Sequence, residues 1–295
     1  IVLPRAVANY PAYNQMHEMV ITHTGLEVGA TIYLEYSVIS KPGFIEEMMG
    51  TEILSEGVPV ENYEVVLKVP ARRAIYYRLL NSENKAEESN DGAYRTYKWT
   101  FDLIEQQAYE QAAPADYDLA PTLCFSTFPD IPTAFSSLYS QKAFENQLPS
   151  NLLEKVNQWK KEAKSKLDLA LKIQAYMVNN IDGKHFPLAW HNFVIQSPTK
   201  VWNANIGNDL EKTALLSKTL QSAGFDVRIV GLMPETLWHS RRADLGNVEA
   251  WGVMLSIGEM KEVILSASQM NNKSMELEYP SAIVLDLKTG NPVEM

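Results

Sequence analysis

The sequence predicts an α+β protein in two parts, a β-rich N-terminal half of antiparallel, sandwich-like character and a second half in which helices precede strands. Three observations predict it. Apolar residues alternate along short runs before residue 148, recur at helical spacing from Asn151, and alternate again beyond Gly224. With 295 residues the chain is long enough for two ordinary domains, placed at 1–148 and 149–295.

The strands of the first half follow from their alternation. Ile32, Leu34, Tyr36 and Val38 share one face of ATIYLEYSV; Tyr63, Val65, Leu67 and Val69 do so in NYEVVLKVP; Tyr97, Trp99, Phe101 and Leu103 do so in YRTYKWTFDLI. Turn chemistry separates these runs at Gly25 to Gly29, at Lys41-Pro42-Gly43 and at Asn90-Asp91-Gly92. A sandwich accounts for all three with the fewest assumptions.

From Asn151, Leu152, Val156, Trp159, Ala163, Leu167 and Ala170 fall on one helical face, predicting one long helix or two in series. Ser197 followed by Pro198 is a cap and first-turn proline for a short helix through Trp202. A further helix is expected over Leu210 to Ala223, ended by Gly224 in a left-handed cap. FDVRIVGLM, EAWGVMLSI, EVILSA and SAIVLDL then read as strands.

A formal net charge of -10 with no basic run argues against nucleic acid as a partner. No stretch approaches the ~20 consecutive apolar residues that a membrane-spanning helix needs. Cys124 stands alone, which excludes an internal disulfide and every multi-cysteine zinc site. It lies in the apolar run TLCFSTF, where an inert buried thiol is expected. His185 and His191 are six apart, His239 precedes two arginines, and no carboxylate or cysteine completes a metal set with them or with His17 and His23. No cofactor and no metal are therefore expected. The first residues, IVLPRAVANYPAY, are read as part of a longer protein whose leader or anchor lies elsewhere.

The order of long helix, capped turn, buried helix and strands resembles the papain-like core of the transglutaminase-like superfamily. VWNANIGNDLEKTALLSKTLQSAGFDVRIVG resembles its nucleophile segment, EAWGVML the strand that normally opens His-Ala-Trp, and LSAS the place of an Asp-Pro-Thr. GLEVGATIYLEYSV, GVPVENYEVVLKVP and PTLCFSTFPD resemble the β-rich domain of unknown function that precedes such modules in bacterial envelope proteins. The resemblance implies a papain-like second domain and a periplasmic or cell-envelope location.

It also implies a cysteine at a helix N-terminus, a histidine on a neighbouring strand and a carboxylate to orient it. Here those positions fall on Asp209, Glu249 and Ser266. No cysteine follows Cys124 and no histidine follows His239, so no slip of register restores the pair. Two carboxylates cannot imitate thiolate and imidazolium. Folding alone explains the motif: Asn208 caps the helix, Glu211 closes a capping box, and Asp209 favours the helix dipole.

The expectation is a catalytically inactive, transglutaminase-like binding or structural module of a larger exported bacterial protein. Trp190, Trp202, Trp238 and Trp251 lie near the loops that would frame the vacated cleft. Trp202, Asp209, Trp238, Glu249 and Trp251 are the candidate ligand-binding residues there, for a peptide, a glycan or a protein. The alternative is a hydrolase or acyl transferase with an unconventional site, such as Asp209 and Glu249 flanking a glycosidic bond.

Overall fold

A computed structural model of the chain describes residues 1–2, 10–13, 16–22, 24–37, 39, 44–106, 115–145, 147–257, 262–270 and 273–294. The chain divides into two compact units, each drawn from separated stretches. One comprises Ile1–Glu46, Gln141–Asp226 and Ser266–Met270; the other comprises Glu47–Ser140, Val227–Leu265 and Asn271–Met295. The fold is α+β, β-rich in its N-terminal region and then helical before further strands.

Strands β1 (Met49–Ile53), β2 (Val60–Pro70), β3 (Tyr76–Leu80), β4 (Glu87–Asn90), β5 (Tyr94–Ile104) and β6 (Thr122–Ser126) form two three-stranded sheets. Their orders are β1-β6-β3 and β2-β5-β4, with antiparallel pairing throughout. Leu67, Val69, Trp99 and Phe101 of one sheet share a core with Leu123 of the other, closed by Tyr77 and Leu79. Two sheets with one common apolar layer form the expected sandwich. The turn between β4 and β5 is built by its own side chains: Asn90 Oδ1 accepts from Gly92 N–H at 2.9 Å and Asp91 Oδ1 from Tyr94 N–H at 2.7 Å.

The alternation holds in β2 and through Phe101 of β5, then slips. Leu103 is 54% exposed while Ile104 is buried. Opposite this point Asn62 takes a left-handed φ of 60°, which turns the paired ribbon and transfers the inward face by one residue. ATIYLEYSV departs further from expectation. Its residues 30–37 form no strand, and Ile32, Leu34 and Tyr36 are exposed. Alternation names the face a strand would bury, but it cannot supply the sheet to bury it against. The Lys41-Pro42-Gly43 turn lies outside the described residues.

The same half also contains helices, α1 (Asp116–Leu119) and α2 (Ile131–Tyr139). Helix α2 starts at Asp130, whose Oδ1 accepts from Thr133 N–H at 2.8 Å, and buries Ile131, Ala134, Phe135 and Leu138.

The long helical region is two helices in series, α3 (Ser150–Glu162) and α4 (Lys166–Asn180). Ser165 caps the second by accepting from Asp168 N–H, and the break resets the phase, so Leu152, Val156 and Trp159 are buried while Leu167 is exposed. Next come β7 (Asp182–Lys184), α5 (Pro198–Ala204), β8 (Ile206–Asn208) and α6 (Asp209–Ala223), with β7 and β8 parallel. Leu210, Leu215, Leu216 and Leu220 of α6 are fully buried. Gly224, at φ 96°, ends α6: its N–H reaches Gln221 O while Phe225 N–H reaches Leu220 O. That pairing requires a left-handed residue, which glycine takes without a Cβ penalty.

Beyond it, β9 (Val227–Pro234), α7 (Glu235–His239), β10 (Ala250–Leu255), β11 (Val263–Ser266) and β12 (Ala282–Asp286) complete the chain. The four strands form one sheet in the order β11-β10-β9-β12, with β10 and β12 antiparallel to β9. Val230, Leu232, Met254, Ile264 and Val284 fill its core. Among the described residues no helix is long and apolar enough to cross a membrane.

Candidate functional site

The first turn of α6 gathers a cluster of polar side chains. Asn208 is the N-cap: its Oδ1 accepts from Glu211 N–H and its own N–H donates to Glu211 Oε2, both at 2.9 Å. Glu211 is fully buried and takes two more donors, Tyr13 Oη–H at 2.6 Å and Gln196 N–H at 2.8 Å. A carboxylate with three donors is a satisfied interior anion. Burial and then the Glu211 charge push the Tyr13 phenol well above its usual range.

Two residues earlier, Asp209 lies at the surface of the same turn. Its Oδ1 accepts from Ser268 Oγ–H at 2.9 Å, and its Oδ2 lies 2.6 Å from His185 Nδ1. The Asp209 side chain is 29% exposed and that of His185 80%. One turn further along, Lys212 is only 2% exposed. Burial pushes its ammonium down, against the opposing pull of Asp209 and Asp182. Gly183 lies against it: a Cβ there would be in ordinary contact, 3.4 Å from Lys212 Nζ and 3.8 Å from Ser268 Oγ. Asp182 also receives Tyr10 Oη–H at 2.8 Å, and Lys184 Nζ sits 4.2 Å from the Tyr10 ring centre.

Ser266 is buried and organises a turn, its Oγ accepting from Ser268 N–H at 3.1 Å and Gln269 N–H at 3.3 Å. Its carbonyl takes Gln174 Nε2–H at 2.9 Å. Trp202 is buried, with its indole N–H on Asn151 Oδ1 at 3.2 Å and its ring near Tyr176. These residues share a unit with Asp209. Trp238, Glu249 and Trp251 belong to the other. There Glu249 is exposed just before β10, with its N–H on Leu232 O. Trp251 is buried against Gly231 and Phe135. Trp238 is half-buried, with the Arg241 guanidinium 5.8 Å from its ring centre.

Cys124 is buried in the middle of β6, and burial pushes its thiol up. A thiol so placed is a poor nucleophile. Among the described residues no three His, Cys, Asp or Glu side chains are grouped to hold a metal ion. Sequence reading did not single out His185, Lys212 or Ser268 as neighbours of Asp209. Lys212 was legible in principle, three positions along the same helix. His185 and Ser268 carry no local signal, since other strands and turns bring them there.

The model of DUF3857, a domain of unknown function with a solved structure, matches residues 1–107. A candidate protease from Parabacteroides distasonis ATCC 8503, known from its crystal structure, is 28% identical and superposes with a TM-score of 0.87. The match covers all of this chain and 56% of that one, so the chain spans little more than half of its relative's length. A candidate cysteine protease from Cytophaga hutchinsonii is 8% identical over 81% of this chain and 83% of that one, with a TM-score of 0.34, too loose a superposition to carry an inference. No curated protein matches. The fold is thus shared with a protein described as a candidate protease.

Proposed function

We propose that the chain is a non-catalytic, transglutaminase-like module with a binding or structural role in a larger exported bacterial protein, working in the periplasm or cell envelope. One observation carries the reading. At the helix start where the resemblance calls for a cysteine, Asp209 stands with both carboxylate oxygens engaged by side chains of its own unit, Ser268 and His185. The chain's sole thiol is in the interior of β6. A dipole-stabilised, doubly engaged carboxylate is a poor attacking group and a good helix stabiliser.

Recognition is then the remaining use of the surface, for a peptide, glycan or protein. Asp209 on one unit and Glu249 and Trp238 on the other are the accessible candidates, each unit taken by itself, and Trp202 and Trp251 are the indoles of the respective units that would report a nearby change. The test combines turnover and binding. Purified protein is incubated with fluorogenic peptides and nitrophenyl esters, and separately titrated with peptides and glycans while tryptophan emission is followed. The expected result is no turnover and a saturable emission change; turnover that survives purification would sink the non-catalytic reading. Fractionation of cells carrying the full-length protein tests the location.

A second reading has its own observation. Asp209 meets His185 at Nδ1 while the imidazole side chain stays 80% exposed, a pairing that resembles the carboxylate–imidazole half of a hydrolytic relay. Turnover abolished by His185→Ala would establish that reading instead.

A further inference from the structure

We infer that the outer face of β3 and the turn after α7 form a binding surface for an acidic glycan, one whose sugars carry carboxylate or sulfate groups. The surface lies within one unit and makes no use of Asp209. It extends the binding-module reading by giving Trp238 a ligand class.

Tyr76 and Arg78 are two apart on β3 and both exposed, so their side chains leave the same face. Arg78 Nη1–H donates to the carbonyl of His239 at 2.8 Å, which ties the strand to the turn. In that turn Arg241 is held at a left-handed φ of 61°, with its guanidinium 5.8 Å from the Trp238 ring centre. Arg242 places its guanidinium 5.8 Å from the Tyr76 ring centre. The result is a band of three guanidiniums and two aromatic rings.

The charge of this band is out of keeping with the chain. The whole protein carries a formal net charge of -10. Among the described residues no carboxylate lies within ion-pair distance of Arg78, Arg241 or Arg242; the nearby Glu235 pairs with His239 at 3.3 Å. Local attraction for anions inside an acidic molecule is therefore built by placement. Each remaining guanidinium edge presents parallel N–H donors that match a carboxylate or sulfate bidentately.

The rings decide between a glycan and an acidic peptide. An acidic peptide would need charge and backbone partners, which arginines alone supply. A half-buried indole beside Arg241 and an exposed phenol beside Arg242 instead suit a polymer that alternates an apolar pyranose face with an anionic group. The cation–π contacts hold ring and charge at one fixed spacing.

The test titrates the chain with a defined oligogalacturonate, a neutral galactan oligomer of equal length and an oligoglutamate of equal charge, by calorimetry at low and high salt. Saturable binding of the oligogalacturonate is expected, weakened at high salt and at least tenfold stronger than for either control. Arg241→Gln with Arg242→Gln should lower its affinity at least tenfold, and Trp238→Ala several-fold. The charge-matched Lys161→Ala with Lys164→Ala should leave it unchanged. Equal binding of oligoglutamate, insensitive to Trp238→Ala, would overturn the glycan assignment in favour of a peptide surface. No binding of any probe, or binding untouched by the double arginine variant, would overturn the surface itself. Peptidase turnover would sink the non-catalytic reading without touching this result, so the two ideas can fail separately.

Discussion

Two carboxylates on the first turn of α6, two residues apart, live in opposite surroundings. Glu211 is sealed in with three donors, whereas Asp209 stands at the surface with a serine and an exposed histidine. The sealed group ties three segments together: Tyr13, the backbone at Gln196 and the start of α6. The open group touches only side chains. The contrast separates what the helix start needs to fold from what it presents outward, and the second is where a function would have to reside.

Glu211→Ala should have the largest effect, leaving the Tyr13 hydroxyl and two amides without their buried acceptor at a cost of about 3 to 5 kcal/mol. Urea unfolding monitored by circular dichroism measures it, and a loss below about 1 kcal/mol would erase the contrast. Tyr13→Phe removes one charge-assisted bond and should cost about 1.5 to 3 kcal/mol.

Tyr13 also brings a pH signature. Its phenol is raised in the fold above the ordinary 10.0, so the folded chain keeps a proton that the unfolded chain releases. The contribution is whole below pH 10 and fades as pH rises further. Tyr13→Phe should flatten that alkaline fall in a series of unfolding midpoints.

Asp209→Ala tests the open group and should cost only about 0.3 to 1 kcal/mol, the scale of a helix-dipole interaction. A cost equal to that of Glu211→Ala would show the two sites to be alike. The smallest effect is expected at Lys212. Its ammonium is pushed below the ordinary 10.5, so between its lowered value and 10.5 the unfolded chain binds more protons and stability rises with pH. Lys212→Met should remove that rise while leaving stability at pH 7 the same or greater.

Much of the second half was legible because its signals are local. The Asn208 and Glu211 capping box, the Ser197-Pro198 start, the Gly224 end and the four closing strands depend on residues within a turn or on simple alternation. In the sandwich, β2 and β5 were legible for the same reason. Helix α2 was missed although Asp130 to Thr133 is a cap and Ile131, Ala134, Phe135 and Leu138 keep helical spacing; the surrounding β texture hid a run only nine residues long. The ATIYLEYSV strand failed because its pattern was right and, among the described residues, no strand pairs with it. At the site, Asp209 and Glu211 could be placed on one helical turn from the chain alone. Their differing burial could not, since it is set by Tyr13, Gln196, His185 and Ser268, which approach from distant stretches.

The bond from Tyr13 to Glu211 spans 198 positions of sequence. A ribosome adding roughly 5 to 20 residues each second would deliver the acceptor some 10 to 40 s after the donor. For that interval the nascent Tyr13 segment has its phenol and its apolar neighbour Met16 but none of Ile206, Asn208 or Glu211 to receive them. Closure of this helix start therefore waits on the synthesis of its distant half, and until then the Tyr13 segment has no native seat.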